Sequence, residues 1–327
     1  MYVSLKKAVY EVMKLSLIIP CYNEESNVEA FYNETEKAFR EVSFDYEYVF
    51  VNDGSKDKTL ENLKKLHREK KHSNITVVSF SRNFGKESAI YAGLKNSIGD
   101  YVSIIDADLQ QRPEVVLEMM EILTNNSELD CVAAFQEKRK ENPVISAFKT
   151  CFYKVINMLS EVNLHADASD FRTFTRGMAN AILEMSEYHR FSKGIFSWIG
   201  FNTEYIPYEV QERNAGETKW SFSKLMRYAL DGISAFSTKP LQLATYVGMF
   251  SSIASIIYMI VVIIKRLAFG DPVSGYATIV ALILLIGGIQ LFCMGIMGTY
   301  IAKTYIQSKH RPIYIAREVL SYDKEEK

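Results

Sequence analysis

This chain has little cysteine and almost no excess charge, and each shortage excludes a class of protein. Its four cysteines lie far apart and form neither a CxxC pair nor a metal-ligand spacing; they are Cys21, Cys131, Cys151 and Cys293. We therefore expect reduced, mostly buried thiols instead of a disulfide framework. The formal net charge of the 327 residues is -1, which gives no general attraction to nucleic acid.

Two sequence signals are also missing. Residues 1–14 are polar and lack the apolar core of a secretory signal, so we expect nothing to export the domain that follows. No GxxxxGK[ST] loop occurs, which excludes a P-loop nucleotide hydrolase.

What the chain does have is two long apolar stretches in its C-terminal part. Leu241 to Ile264 and Val273 to Ala302 contain no charged residue. A membrane-spanning helix needs roughly 20 predominantly apolar residues, so both stretches are predicted to span a membrane with a short loop between them. The alternative, a pair of buried core helices, is disfavoured by the length of the two runs.

Basic residues flank the outer ends of both stretches and predict their orientation. Seven lie outside the pair, namely Lys219, Lys224, Arg227, Lys239, Lys303, Lys309 and Arg311, and two oppose them on the loop, Lys265 and Arg266. The positive-inside rule then places the N-terminal domain and both termini in the cytoplasm, in a multi-pass protein of the cytoplasmic membrane.

These signals predict five regions. We expect a cytoplasmic domain over 1–220, a juxtamembrane helix over 221–240, membrane helices over 241–264 and 273–302, and a cytoplasmic tail over 303–327. The juxtamembrane helix is amphipathic, with Phe222, Leu225, Met226, Ala229, Leu230 and Ile233 on one side. It is predicted to lie in the membrane interface, and an ordinary domain helix is the equally weighted alternative.

The cytoplasmic domain alternates between strand-like and helix-like segments. Strands are predicted over 15–20, 46–51, 75–80 and 101–105, and helices after the first strand, over 55–67, over 85–96 and from Pro113. A capping box at Ser26 and Glu29 is expected to begin the first helix. Near-continuous apolar strands with short connections indicate a doubly wound, mostly parallel α/β sheet.

Polar residues follow four consecutive strands of this predicted sheet. They are Asn23 and Glu24, then Asp53, then Ser81, Arg82 and Asn83, and finally Asp106 and Asp108. Each alone fits a cap or a turn, but ligands bind outside the carboxyl ends of such strands. Four in series therefore predict a binding site.

The segment Asp106-x-Asp108-x-Gln110 predicts the chemistry of that site. Hard oxygen ligands in this arrangement suit Mg²⁺ or Mn²⁺, with substrate phosphates completing the shell. A nucleotide diphosphate-sugar bridged by the metal is the predicted ligand.

These motifs resemble a known family. Pro20-Cys-Tyr-Asn-Glu24, Val51-Asn-Asp-Gly-Ser55 and Asp106-Ala-Asp-Leu-Gln110 resemble signatures of family-2 glycosyltransferases with a GT-A fold. Four further segments resemble the bacterial polyprenyl-phosphate glycosyltransferases, such as the bactoprenol glucosyltransferases, and their relative dolichol-phosphate mannose synthase: Arg82-Asn-Phe-Gly-Lys-Glu87, Asp170-Phe-Arg172, Glu212-Arg-Asn-Ala-Gly-Glu-Thr-Lys219 and Gly287-Gly-Ile-Gln290. The resemblance covers about Leu15 to Arg317.

The resemblance implies a role for each matching residue. Pro20, Glu24 and Asp53 would hold the uridine of a UDP donor, Asp106 would face its ribose and diphosphate, and Asp108 and Gln110 would bind the metal. Asp170 would lie beside the sugar, unless it is the N-cap of the following helix. Arg213 and Lys219 would meet phosphate groups, unless they only attract anionic lipid headgroups.

The function implied is inverting transfer of a hexose from a UDP-sugar to polyprenyl phosphate, with undecaprenyl phosphate expected, for cell-envelope glycan modification. Glucose is the first choice of sugar, ahead of N-acetylglucosamine and galactose. A flippase, a downstream transferase and a second copy of the chain are possible partners. A processive synthase is disfavoured because no Gln-x-x-Arg-Trp motif occurs. A non-catalytic sugar-nucleotide sensor is disfavoured by the intact set of polar residues.

Overall fold

The computed structural model describes residues 13–70, 74–136, 168–211, 232–269 and 275–321. It divides into two compact units. One comprises Met1–Lys154, Val162–Phe222 and Pro312–Lys327, and the other comprises Val155–Glu161 and Ser223–Arg311. The first unit contains the sheet, and the second contains two long helices.

An eight-stranded sheet forms the centre of the first unit. Its strands are β1 (Lys14–Cys21), β2 (Asp45–Asn52), β3 (Ile75–Phe80), β4 (Tyr101–Ile104), β5 (Cys131–Gln136), β6 (Ala168–Thr175), β7 (Thr203–Tyr208) and β8 (Ala316–Leu320). Their order across the sheet is β7-β5-β6-β4-β1-β2-β3-β8. The four strands predicted from the sequence are therefore β1 to β4, which lie side by side.

The pairing of the strands is mixed. β1 pairs in parallel with β2 and with β4, and β2 pairs in parallel with β3. β6 runs antiparallel to both β4 and β5, and β8 runs antiparallel to β3. The predicted α/β class is confirmed, and the antiparallel strands extend the parallel part of the sheet on both sides.

In the described part of this unit, six helices pack on the sheet: α1 (Val28–Ala38), α2 (Thr59–Glu69), α3 (Lys86–Lys95), α4 (Pro113–Asn125), α5 (Arg176–Glu184) and α6 (Ser192–Trp198). On one face, α1, α2 and α4 contribute to the main core with alternate residues of the strands, such as Phe50 of β2. On the other face, α3 packs against the intervening residues, such as Val49 and Val51. This alternation is the period-2 burial expected of a strand covered on both sides.

The start of α1 corrects one prediction. A capping box at Ser26 and Glu29 was expected, but the N-cap residue is Asn27 and its side chain makes no capping hydrogen bond. The backbone N–H groups of Asn27 and Val28 instead donate to the carbonyl of Glu24, at 2.9 and 3.2 Å. With Asn27 as the N-cap, Ser26 lies one residue before the cap and is out of register with the predicted capping box. By contrast, Pro113 occupies the first turn of α4 as predicted.

Two helices, α7 (Lys239–Phe269) and α8 (Tyr276–Ser308), make up most of the second unit. Segments Lys239–Lys265 and Leu282–Ser308 have mean hydropathies of 2.4 and 2.0, which makes both long and apolar enough to cross a membrane. The two helices contact each other where the Cys293 thiol of α8 donates a hydrogen bond to the carbonyl oxygen of Ala244 in α7, with 3.6 Å between sulfur and oxygen. Large side chains such as Phe250 are exposed along them, which fits surfaces that face lipid.

Several predicted boundaries change in the structure. Residues 303–308 lie in α8 and residues 316–320 form β8, although the sequence predicted a tail there. Most of the predicted juxtamembrane helix, residues 221–231, lies outside the described residues. Cys21 and Cys131 are buried thiols without a disulfide, as expected, whereas Cys293 is partly exposed; Cys151 lies outside the described residues.

Candidate active site

A cleft of about 290 Å³ opens at the carboxyl ends of β1, β2 and β4. Its lining is Pro20, Cys21, Tyr22, Glu24, Asp53, Asn83, Gly85, Lys86, Ala89, Asp106, Ala107 and Asp108. Six residues predicted from the sequence thus meet in one place: Pro20, Glu24, Asp53, Asn83, Asp106 and Asp108. This is the edge at which parallel α/β sheets bind ligands.

Asp53 holds three loops of the cleft together. The side chain is 3% exposed, and its carboxylate accepts hydrogen bonds from the N–H groups of Phe84 at 2.6 Å and Gly85 at 2.9 Å. Its own N–H donates to the carbonyl of Cys21 at 2.9 Å. Burial raises the pKa of Asp53, although the two amide donors act in the opposite direction. Each carboxylate oxygen keeps a lone pair with which it can accept from a ligand.

Gly54 allows the loops after β2 and β3 to approach this closely. It has a φ of +63°, and a Cβ at this position would lie 2.3 Å from the carbonyl carbon of Arg82 and 2.5 Å from the nitrogen of Asn83. Only glycine combines this conformation with this approach. The contact is completed by the Asn83 amide, which donates to the carbonyl of Asp53 at 3.2 Å.

Glu24 and Cys21 line the β1 side of the cleft. The Glu24 N–H donates to the Thr59 hydroxyl at 2.8 Å, and its carboxylate accepts from the side-chain amide of Asn27 at 2.6 Å. Burial, reinforced by the charges of Glu24 and Asp106, raises the pKa of the Cys21 thiol well above its ordinary value. A neutral thiol is a poor nucleophile, so Cys21 is a weak candidate for a nucleophilic role.

The register of β4 and β6 brings two carboxylates together. Ile104, the last residue of β4, lies opposite Arg172 in this antiparallel pair. Asp106, two residues beyond the end of β4, therefore comes close to Asp170, which precedes Arg172 by two residues in β6. The Lys86 ammonium joins them: Nζ lies 2.7 and 2.9 Å from the Asp106 oxygens and 3.4 Å from Oδ2 of Asp170. Structure therefore adds Lys86 to the site.

The charges of this group shift its pKa values. Burial alone would raise the pKa of Asp170, but Lys86, Lys193 and Arg172 outweigh it and lower the pKa. Burial would likewise lower the pKa of Lys86, and Asp106 and Asp170 together raise it instead. Asp170 is thus a carboxylate and Lys86 a cation at neutral pH.

The loop after β4 is fixed by its own side chains. The buried Gln111 accepts from the N–H of Asp106 at 2.9 Å and donates to its carboxylate at 3.3 Å. Asp108 accepts from the N–H of Gln110 at 3.2 Å. The carbonyl of Gln110 accepts from the N–H of Gln211 at 3.1 Å. Gln110, a predicted metal ligand, lies next to the cleft but not among the residues that line it.

The donor set limits how a metal ion would be held. Among the residues that the structure describes, no group of three or more histidines, cysteines or carboxylates has the geometry of a metal site. Mg²⁺ is typically held in proteins by one or two carboxylates, with waters and substrate phosphates supplying its other ligands. Asp108, a carboxylate in the wall of the cleft, fits such an ion, whose remaining ligands would be water and diphosphate oxygens. Asp106 is already paired with Lys86.

The other predicted residues have different outcomes. Asp170 lies within β6, and the N-cap of the next helix is Thr175, whose side chain accepts from the N–H of Met178. The alternative reading of Asp170 as a helix cap is therefore wrong. Arg213 and Lys219 lie outside the described residues.

Sequence reasoning missed Lys86 and Gln111 as site residues. Lys86 belongs to the segment Arg82–Glu87, whose resemblance to the polyprenyl-phosphate glycosyltransferases implies no role for the lysine. Gln111 adjoins Gln110, and only its folded position reveals its contact with Asp106.

Comparison with known proteins agrees with this fold. The profile of Glycosyl transferase family 2 matches residues 16–183, and that of the GtrB C-terminal hairpin matches residues 239–304. Together they confirm the predicted class, an α/β glycosyltransferase domain of the GT-A kind with a C-terminal apolar hairpin. The first match covers just over half of the chain, which therefore belongs to glycosyl transferase family 2.

Full-length relatives support the assignment. The putative glycosyltransferase CsbB of Bacillus subtilis (strain 168) is 42% identical over 304 residues, covering 93% of this chain and 91% of its own length. The bactoprenol glucosyl transferase of Shigella phage SfV is 39% identical over 306 residues, covering 93% and 98%. Among solved structures, glucosyl-3-phosphoglycerate synthase of Mycobacterium tuberculosis with Mn²⁺, UDP and phosphoglyceric acid has a TM-score of 0.49 at 17% identity, covering 71% and 80%.

Proposed function

We propose that this chain transfers a hexose from a UDP-sugar to polyprenyl phosphate at a membrane surface. The observation that carries the proposal is the meeting of Asp53, Asp106 and Asp108 in one cleft, in a chain that also has two apolar helices. Full-length relatives named bactoprenol glucosyl transferase support a lipid acceptor. Glucose is our first choice of sugar, and N-acetylglucosamine and galactose remain alternatives.

In this proposal, the β1 and β2 loops bind the uridine of the donor. Asp53 keeps a lone pair on each carboxylate oxygen for a uracil or ribose donor group, and Glu24 and Pro20 line the same wall. Asp106 faces the ribose and diphosphate. Because Asp53 is already fixed by two backbone bonds, the nucleotide meets an acceptor that needs no rearrangement.

The diphosphate side of the cleft neutralises the charge of the leaving group. Asp108, with Gln110 beside it, would hold Mg²⁺ or Mn²⁺, which when bound supplies positive charge to the departing UDP. Arg213 and Lys219 would contact phosphate groups of the donor or of the acceptor. These residues carry the electrostatic part of the reaction.

The acceptor needs little activation. A phosphate monoester has a second pKa of about 6 and is mostly dianionic at neutral pH, so one of its oxygens can attack the anomeric carbon directly. The new bond joins that carbon to the lipid phosphate oxygen, the bond to UDP breaks, and the configuration inverts. Asp170, held as a carboxylate by its cationic neighbours, would orient the acceptor or stabilise positive charge on the sugar.

The hairpin explains how a soluble-type domain reaches a lipid phosphate. The phosphate lies in the headgroup layer, so the cleft must work close to the membrane. We propose that both termini and the catalytic domain face the cytoplasm, from the distribution of basic residues, and that residues 221–240 lie in the interface. A flippase and a downstream transferase would then use the glycolipid, and the enzyme itself would associate with further copies.

The proposal is tested with the purified full-length chain in detergent. UDP release is measured with UDP-glucose, UDP-N-acetylglucosamine and UDP-galactose, each with and without undecaprenyl phosphate and Mg²⁺ or Mn²⁺. We expect release to depend on the lipid phosphate and to be fastest with UDP-glucose. UDP release at the same rate with and without undecaprenyl phosphate would contradict the proposed lipid acceptor. Faster release from UDP-N-acetylglucosamine or UDP-galactose would change only the identity of the transferred sugar.

A further inference from the structure

Lys86 occupies a position that helix stability does not explain. It is the first residue of α3, where the aligned peptide dipoles give a partial positive charge and disfavour a cation. Its side chain is 42% exposed, so it does not fill the core either. Neither helix stability nor core packing therefore explains a lysine at this position, and its contacts with two carboxylates do.

That reason is the pair of carboxylates it joins. The register of β4 and β6 would bring Asp106 and Asp170 close together with like charges, which is unfavourable in a partly buried site. Lys86 forms ion pairs with both, at 2.7 Å and 3.4 Å. The side chains of Asp106 and Asp170 are only 31% and 19% exposed, so water screens these ion pairs less than it would on the surface.

The first turn of α3 is anchored so that Lys86 can reach both. The Gly85 N–H donates to Asp53 at 2.9 Å. The next residue, Glu87, accepts from the N–H of Ser192 at 2.9 Å and from its hydroxyl. The Glu87 carboxyl group is partly buried, and this burial raises its pKa. Its two bonds to Ser192 hold the first turn of α3 in place. Lys86 is thus fixed from both neighbouring residues.

Further along α3, the helix is pressed against the sheet. A Cβ on Gly93 would lie 2.2 Å from Cγ2 of Ile18, so the glycine brings α3 into close contact with β1. The helix that carries Lys86 is therefore held at both ends, and the position of its ammonium is set by the fold.

We propose that Lys86 is a positioning residue for glycosyl transfer, bridging Asp106 and Asp170 so that the carboxylate facing the donor and the carboxylate beside the sugar keep one fixed separation. The inference rests on the function proposed above, which assigns those two sides. Without the ammonium, the two carboxylates repel, and Asp170 turns away from the reacting carbon. The variant then loses stabilisation of the transition state, which lowers kcat. Binding of the uridine is retained because Asp53 and Glu24 still hold it.

The test compares Lys86→Met, Lys86→Arg and the control Lys95→Met in the purified full-length protein. Lys95 is an exposed lysine in the last turn of the same helix. For Lys86→Met we expect kcat to fall at least about tenfold while KM for the UDP-sugar changes less than about threefold. Lys86→Arg should recover most of the loss because a guanidinium can pair with two carboxylates, and Lys95→Met should match the wild type. Thermal unfolding in detergent checks that each variant is folded.

A double-mutant cycle with Asp170→Asn separates positioning from a general structural effect. If Lys86 acts through Asp170, adding Lys86→Met to Asp170→Asn should lower kcat by less than about threefold more. A kcat of Lys86→Met within threefold of the wild type, or two effects that simply multiply, would overturn the inference. UDP release is recorded with and without lipid, so the effect of the Lys86 variants on cleavage of the UDP-sugar can be measured even without transfer to lipid. A wild-type protein that cleaves the UDP-sugar but forms no glycolipid would contradict only the proposed acceptor.

Discussion

Replacing Asp53 with asparagine tests whether this carboxylate organises the cleft. In the native site its two oxygens accept from the N–H groups of Phe84 and Gly85. Asparagine offers one carbonyl oxygen and one amide group. One backbone N–H therefore keeps an acceptor, now uncharged, and the other faces an N–H₂ donor. The residue is only 3% exposed and both N–H groups are directed at the carboxylate, so water compensates for the lost bond only in part.

The size of the effect follows from these contacts. A hydrogen bond to a charged group contributes roughly 1.5–3 kcal/mol, and a buried donor left unpaired costs roughly 1–3 kcal/mol. Burial raises the pKa of Asp53, because removing a charged carboxylate from water is unfavourable. The uncharged asparagine does not have this desolvation penalty, which offsets part of the loss. The net expectation is a local destabilisation of about 2 kcal/mol, equivalent to a roughly 30-fold rise in the opening of this loop.

Hydrogen exchange of the Phe84 and Gly85 amides, followed by mass spectrometry on a peptide that spans them, measures this opening. We expect roughly 30-fold faster exchange in Asp53→Asn and a weaker affinity for UDP. Asp45→Asn is the matched control, because Asp45 is an exposed residue at the opposite end of β2, and it should exchange like the wild type. Unchanged exchange at Phe84 and Gly85 in Asp53→Asn would refute the reasoning.

Three further predictions concern the loop, the metal and the membrane. Gly54→Ala should destabilise the protein by roughly 2–4 kcal/mol, since the new Cβ meets backbone atoms at a positive φ. The control Gly177→Ala, a helical site with no atom closer than 3.8 Å to the new Cβ, should unfold at or above the wild-type denaturant midpoint. Asp108→Ala should remove most turnover from a folded protein and EDTA should mimic it; full activity of the variant in saturating chelator would exclude the metal. A reporter fused after Lys327 should read as cytoplasmic and a cysteine placed at Gly270 should react with an impermeant reagent from outside; an external C-terminus would mean that only one helix spans.

The sequence predicted the parallel part of the fold well because each signal there is local. Apolar runs bounded by turn residues gave β1 to β4 within a few residues, and Pro113 gave the start of α4. The capping box failed because the helix begins one residue later than expected, with Asn27 as its N-cap after a turn in which Asn27 and Val28 donate to the carbonyl of Glu24. The residue at which a helix begins depends on the backbone turn before it, and residue types predict that turn only to within a residue or two.

The rest of the sheet depends on contacts between distant residues. β8 follows the apolar hairpin in sequence and yet pairs with β3, and β6 inserts between β4 and β5. Short strands of this kind carry no local sign of their partners. The site shows the same limit. Strand-end carboxylates were predictable, whereas Lys86 became visible only when the β4–β6 register brought Asp106 and Asp170 together.

The most direct test of the central claim is identification of the reaction product. The purified full-length protein is given UDP-glucose, undecaprenyl phosphate and Mg²⁺, and the organic extract is analysed by mass spectrometry and by NMR of the anomeric proton. The account predicts a hexosyl lipid phosphate whose anomeric configuration is opposite to that of the donor. Sugar found only in water-soluble products or on protein, with none in the lipid extract, would contradict it.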